Sequence, residues 1–187
     1  MISKMLMTSF ILMLKALLIY VIGFSTSHFI DIKQSSFKNY YIGLWISCET
    51  YLSIKDLSAC QDSVEFFNLG DRVWFKASRA TSILGIIFLC AALICAGLKL
   101  FVFKGKKCIL DAAIGMTFVA VVFILIASIV FTHNDDDHFG ALGLYFNYGY
   151  SLDLTIVGMC TAVIAGVFMV VDYNTGLHID DGQVANY

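Results

Sequence analysis

The sequence predicts a membrane α-helical protein: a bundle of four transmembrane helices beneath a small extracellular antiparallel β-sheet. Three observations predict it. The 187-residue chain is 59% hydrophobic and only 14% charged, with a mean hydropathy of +0.83. A soluble domain carries about 25% charged residues and about 45–50% apolar ones, so this composition belongs to a chain that lives largely in lipid. Four apolar runs are long enough to cross a hydrocarbon core about 30 Å thick, which takes roughly 20 helical residues. The stretch 25–80 is instead rich in aromatic and β-branched residues, as a folded ectodomain requires. A net charge of −2 offers no basic surface to nucleic acid, and hydrophobicity this high excludes intrinsic disorder.

The first span is predicted over about 5–24, interrupted by Lys15. An ionisable residue inside a span by default faces the bundle interior or a water cavity. The plainer expectation is a tilted helix whose lysine snorkels, and it is the one favoured here. Lys4 ahead of an apolar run, with Ser25-Thr26-Ser27 behind it, also fits a cleaved signal peptide; the span is the preferred reading. The second span is predicted over 81–103, and the breaker-free segment 72–82 predicts a helix running straight into it. The third, 108–131, carries Asp111 one turn in; the fourth, 154–171, is the shortest. This leaves extracellular loops at 25–80 and 132–153, a short turn at 104–107 and a tail at 172–187, all in one domain over 1–187.

Orientation follows from the lysines. Lys104, Lys106 and Lys107 share the short turn, with Lys99 just before it. The third-to-fourth connection has no Lys or Arg but holds Asp135, Asp136, Asp137 and Asp153. Cations favour the cytoplasmic side, which places the turn and both termini in the cytoplasm.

Within the long loop, Phe29-Ile30-Asp31-Ile32-Lys33 alternates as a half-buried strand should, and Tyr41 to Cys48 is β-prone throughout. Of six cysteines, only Cys48 and Cys60 fall in this loop. In an oxidising compartment they are expected to form a disulfide, with two free thiols as the alternative. Cys90, Cys95, Cys108 and Cys160 lie in or beside spans, where cysteine is mostly a small apolar packer. Cys108, at the cytoplasmic boundary, is a candidate for palmitoylation.

Gly43-Leu44-Trp45, then Cys48 and Cys60, then Arg79 just before the second span, together resemble the signature of the claudin and peripheral myelin protein superfamily. That superfamily includes epithelial membrane proteins and the gamma subunits of calcium channels and glutamate receptors. The resemblance covers nearly the whole chain. Phe29 stands where the family usually has another tryptophan, and Tyr148-Gly149-Tyr150-Ser151 looks more like the epithelial-membrane and gamma branches. The ending Ala185-Asn186-Tyr187 differs from the Tyr-Val that many claudins offer to PDZ scaffolds.

The resemblance implies that Trp45 dips toward the lipid or the helix ends, and that the disulfide holds two central strands in register. It also implies that Arg79 closes an ion pair or caps the sheet. Glu49 takes a position where some claudins place a pore-lining charge, and Asp62 lies nearby, as does Asp56, which Lys55 offsets. The function implied is a cell-junction protein of the plasma membrane. It would assemble with itself or related four-span proteins into a paracellular barrier, with weak cation preference or none. The alternative is an auxiliary subunit of an ion channel or receptor, and a third reading is a surface-organising protein of the myelin type.

His133-Asn134-Asp135-Asp136-Asp137-His138 invites a metal site, but consecutive carboxylates repel, and a solvated acidic loop is the expectation. No nucleophile elbow, Walker loop or H-E-x-x-H motif occurs, so neither catalysis nor a cofactor is expected.

Overall fold

The computed structural model describes residues 4–35, 38–51, 58–65, 72–103, 107–141 and 146–184. In chain order these form α1 (Lys4–Ser25), β1 (Ile30–Ser35), β2 (Lys38–Ile42), β3 (Ile46–Tyr51), β4 (Ser58–Asp62), α2 (Val73–Phe101), α3 (Lys107–Ala141), β5 (Phe146–Tyr148) and α4 (Tyr150–Val184). Each of the four helices has a stretch long and apolar enough to cross a membrane. Lipid cannot hydrogen-bond a peptide group, so each apolar run satisfies its backbone internally as a helix.

Helix α1 packs chiefly on α4, and α2 on α3. The buried residues of α1 are Leu6, Ser9, Met13, Ala16, Tyr20 and Gly23, spaced alternately three and four apart along one face. Helix α2 buries Ser78, Ser82, Gly85, Ala92 and Ala96 on its equivalent face, so small residues set how closely the helices approach. Leu89 and Leu100 are buried along the same face of α2, while Leu18, Ile87 and Ile94 are all more than half exposed. That distribution suits a solvent of hydrocarbon, where association rests on close packing rather than on expelling water. Ser9 Oγ donates to the Ala165 carbonyl at 2.7 Å, so a buried hydroxyl is satisfied across the α1–α4 seam.

All five strands lie in one antiparallel sheet, in the order β4-β3-β2-β1-β5. The sheet sits on one end of the bundle. Between them lies an aromatic and aliphatic layer that includes Phe29, Ile32, Ile42, Leu44, Phe75 and Phe131, with Trp45 and Trp74 packed against it. The expected β-prone run Tyr41 to Cys48 is in fact two strands, because Gly43, Leu44 and Trp45 turn the chain between β2 and β3. Cys48 and Cys60 are bonded, directly opposite one another across β3 and β4. The disulfide therefore joins β3 to the edge strand β4 rather than two central strands.

Two boundaries differ from expectation. Helix α3 continues past the apolar run to Ala141, so half of the segment 132–153 is helix, and β5 and the start of α4 take up much of the rest. No Gly or Pro interrupts residues 132–139, so the helix already nucleated in the span propagates past its apolar end although these residues are weak helix formers. Helix α4 likewise runs through Val184 instead of ending near 171. The Ala185-Asn186-Tyr187 ending, Lys55, Asp56, Lys104 and Lys106 lie outside the described residues, as do the side chains of Asp135 to His138.

Replacing both Cys48 and Cys60 with Ser is expected to destabilise the sheet by about 3 kcal/mol, the usual effect of closing a loop of this size. Denaturant unfolding in detergent, followed by tryptophan fluorescence, measures it. A loss confined to the sheet leaves helicity by circular dichroism unchanged.

Candidate functional site

The turn between β2 and β3 is bound at every backbone carbonyl. Ser63 Oγ donates to the Gly43 carbonyl at 2.8 Å. Arg79 Nε donates to the Leu44 carbonyl at 2.6 Å. The Ser63 N–H donates to the Trp45 carbonyl at 3.0 Å. Ser47 and Ser63 share a further buried hydroxyl contact at 2.7 Å. A side chain at Gly43 would meet the Ser27 Cα at 2.6 Å and the Thr26 carbonyl oxygen at 2.7 Å, so the approach of this turn to the end of α1 requires glycine. Leu44 is buried in the layer beneath.

Arg79 joins three elements at once. Its guanidinium carbon lies 4.7 Å from the ring centres of both Trp45 and Phe75. Its Nη2 reaches Asp62 Oδ1 at 3.3 Å. A planar cation can stack on rings and donate in its plane together; an ammonium cannot. Asp62 is largely exposed, and its Oδ1 also accepts from the Val64 N–H at 2.9 Å. That backbone bond first, and then Arg79, holds the Asp62 carboxyl below its ordinary range. Trp45 is half-buried and meets Phe24, at the end of α1, edge-on at 5.4 Å. Its ring thus packs at the helix ends, between α1 and the arginine.

A second junction fastens the start of α4. Thr26 Oγ1 and Ser151 Oγ are 2.6 Å apart. The Ser151 N–H donates to the His28 carbonyl and the Gly149 N–H to the Phe29 carbonyl. A Cβ at Gly149 would collide with the His28 carbonyl oxygen. Phe29 is buried edge-on against Phe131 at 5.2 Å.

On the sheet itself, Glu49 does not stand alone. Lys38 Nζ donates to Glu49 Oε1 at 2.7 Å and to the Tyr51 hydroxyl at 3.3 Å. The bond from Lys38 holds the Glu49 carboxyl below its ordinary range, while Glu49 first and Tyr51 second raise the Lys38 ammonium. Register separates the two acids singled out from sequence: Glu49 pairs with Ala59, and Asp62 with Ile46, which puts them on opposite sheet faces. Cys108 is exposed in the first turn of α3. Ala162 is buried in the helix core, and Gly166 packs against Phe118. Among residues with fully described side chains, no group of three or more His, Cys, Asp or Glu is placed to hold a metal.

Lys38, Ser47 and Ser63 were not singled out from sequence. Lys38 is eleven residues from Glu49, and only the β2–β3 register brings them together. The serines carry no motif; their role depends on burial.

A disulfide-stapled sheet fastened to four membrane-length helices by an arginine stacked on a Gly-Leu-Trp turn defines a four-span membrane protein with a folded cap. The chain matches the profile of the PMP-22/EMP/MP20/Claudin family over residues 1–169, and it belongs to that family. No curated protein matches it.

Arg79→Lys keeps the charge but loses the planar fork, and is expected to destabilise the fold by about 1–3 kcal/mol. Asp62→Asn alters an exposed partner that keeps its acceptor oxygen, and is expected to cost under about 0.5 kcal/mol. Thermal unfolding followed by tryptophan fluorescence separates them; equal losses would place the energy in the ion pair.

The Lys38–Glu49 pair sets a pH window. Glu49, with its pKa lowered on folding, contributes stability that is present above the ordinary carboxylate value and lost as pH falls through the lowered one. Lys38, raised on folding, contributes fully below the ordinary lysine value and loses that contribution as pH rises through the raised one. The pair is therefore expected to hold from about pH 5 to about pH 10. Lys38→Ala should move the Glu49 titration upward, read by carbon NMR of labelled glutamate.

Proposed function

We propose that this chain is a junctional membrane protein. Its sheet lies outside the cell and its termini in the cytoplasm, and copies assemble side by side and across the intercellular gap into a paracellular barrier. The observation that carries this reading is β4. It ends the strand order, all five of its residues are exposed, and the disulfide ties it to β3. Among the described residues nothing pairs with its outer edge, and such an edge offers unpaired N–H and C=O groups to a neighbouring molecule. Orientation is supported by Lys99 and Lys107, which lie at the ends of α2 and α3 away from the sheet.

The ion preference proposed is weak. A ring of free carboxylates favours cations. Glu49 is held by Lys38, so its charge is largely offset at its source. The runner-up reading, an auxiliary subunit of a channel or receptor, is favoured by a different surface, the outer face of α1.

Expression in fibroblasts that lack junction strands tests the proposal by freeze-fracture. Continuous strands confined to contacts between two expressing cells are expected; surface expression without strands would sink autonomous assembly. In strand-forming cells, Lys38→Ala is expected to raise cation preference in dilution potentials, and Glu49→Lys to reverse it. Unchanged selectivity in both would remove this pair from the permeation path.

A further inference from the structure

Helix α1 buries one face against its neighbours and leaves another uncovered. Thr8, Ile11, Lys15, Leu18 and Ile22 recur at helical spacing on that uncovered face, and all are exposed. Among the described residues, Lys15 at its centre makes no ion pair. The structure therefore turns this lysine away from the bundle interior.

Depth makes the placement unusual. Lys15 lies eleven residues from Lys4 and ten from Ser25, or about 15 Å of helix either way. The flanking contacts of α1 agree. Ser9 bonds Ala165 and Gly23 abuts Ser151, so Lys15 is level with the middle of the apolar stretch of α4. A lysine side chain extends roughly 6 Å, which leaves its ammonium well short of either interface of a core about 30 Å thick. Intramembrane cations on natural helices are normally paired.

A second copy of this chain does not supply the partner. Asp111 and Asp153 are exposed but sit within about one turn of the starts of α3 and α4. Asp172 comes about 33 Å along α4. None of these lies at the depth of Lys15.

We propose that the Lys15 face of α1 docks a transmembrane helix of a different membrane protein, one carrying an Asp or Glu near mid-bilayer. Ile11, Leu18 and Ile22 pack beside the ion pair, and the two charges neutralise each other out of reach of water. This does not depend on strand assembly, which uses the sheet.

The test reconstitutes the full-length chain, labelled at its N-terminus, in phosphatidylcholine vesicles with a synthetic leucine–alanine transmembrane helix. One version of the helix carries a single Asp at its midpoint and the other carries Leu there. Energy transfer between the labels should show about tenfold tighter association with the Asp helix, the scale of a polar contact between membrane helices. Lys15→Leu should abolish the preference and Lys15→Arg should keep it. Equal association with both helices would overturn the proposal and return Lys15 to snorkelling. A preference that survives Lys15→Leu would overturn it too.

Discussion

The contact on which the rest of the molecule depends is that between Arg79 and the Gly43-Leu44-Trp45 turn. A turn buried against a helix bundle must satisfy its backbone carbonyls without water. Here two of the three are bound by Ser63 and one by Arg79. The guanidinium lies against Trp45 and Phe75, so one side chain joins the β2–β3 turn, β4 and α2. With this turn fixed, Trp45 stands on the end of α1, and the sheet has a defined height and tilt over the helices.

The disulfide and the arginine act on different scales. Cys48–Cys60 fixes β4 to β3 within the sheet. Arg79 and the Thr26–Ser151–His28 junction fix the sheet to the bundle. A cap held this way presents its edge strand β4 and its Lys38–Glu49 pair at a fixed place over the helix ends.

Alanine, glycine and serine lie along the seams of the bundle beside buried Met13, Tyr20 and Leu89, while its outer surface is lined by side chains such as Leu18, Ile87 and Ile94 that suit lipid. Against that background Lys15 stands out, since every neighbour on its face is at home in hydrocarbon except Thr8.

The helices, the bonded pair Cys48 and Cys60 and the family signature were legible in the sequence, because apolar length and motif spacing are local properties. The helix running into the second span was readable too, since nothing in 72–82 breaks it. The ends of α3 and α4 were not, because hydropathy marks where lipid stops and not where the helix stops. Nor were the partners. Whether Glu49 is free or paired depends on which residue of β2 lies diagonally across from it. Whether Lys15 faces the bundle or the lipid depends on how α1 is rotated against α4. Composition and motif spacing set the class of protein and the chemistry available to it. Register and helix rotation, which are set by contacts between distant segments, decided which of those groups meet.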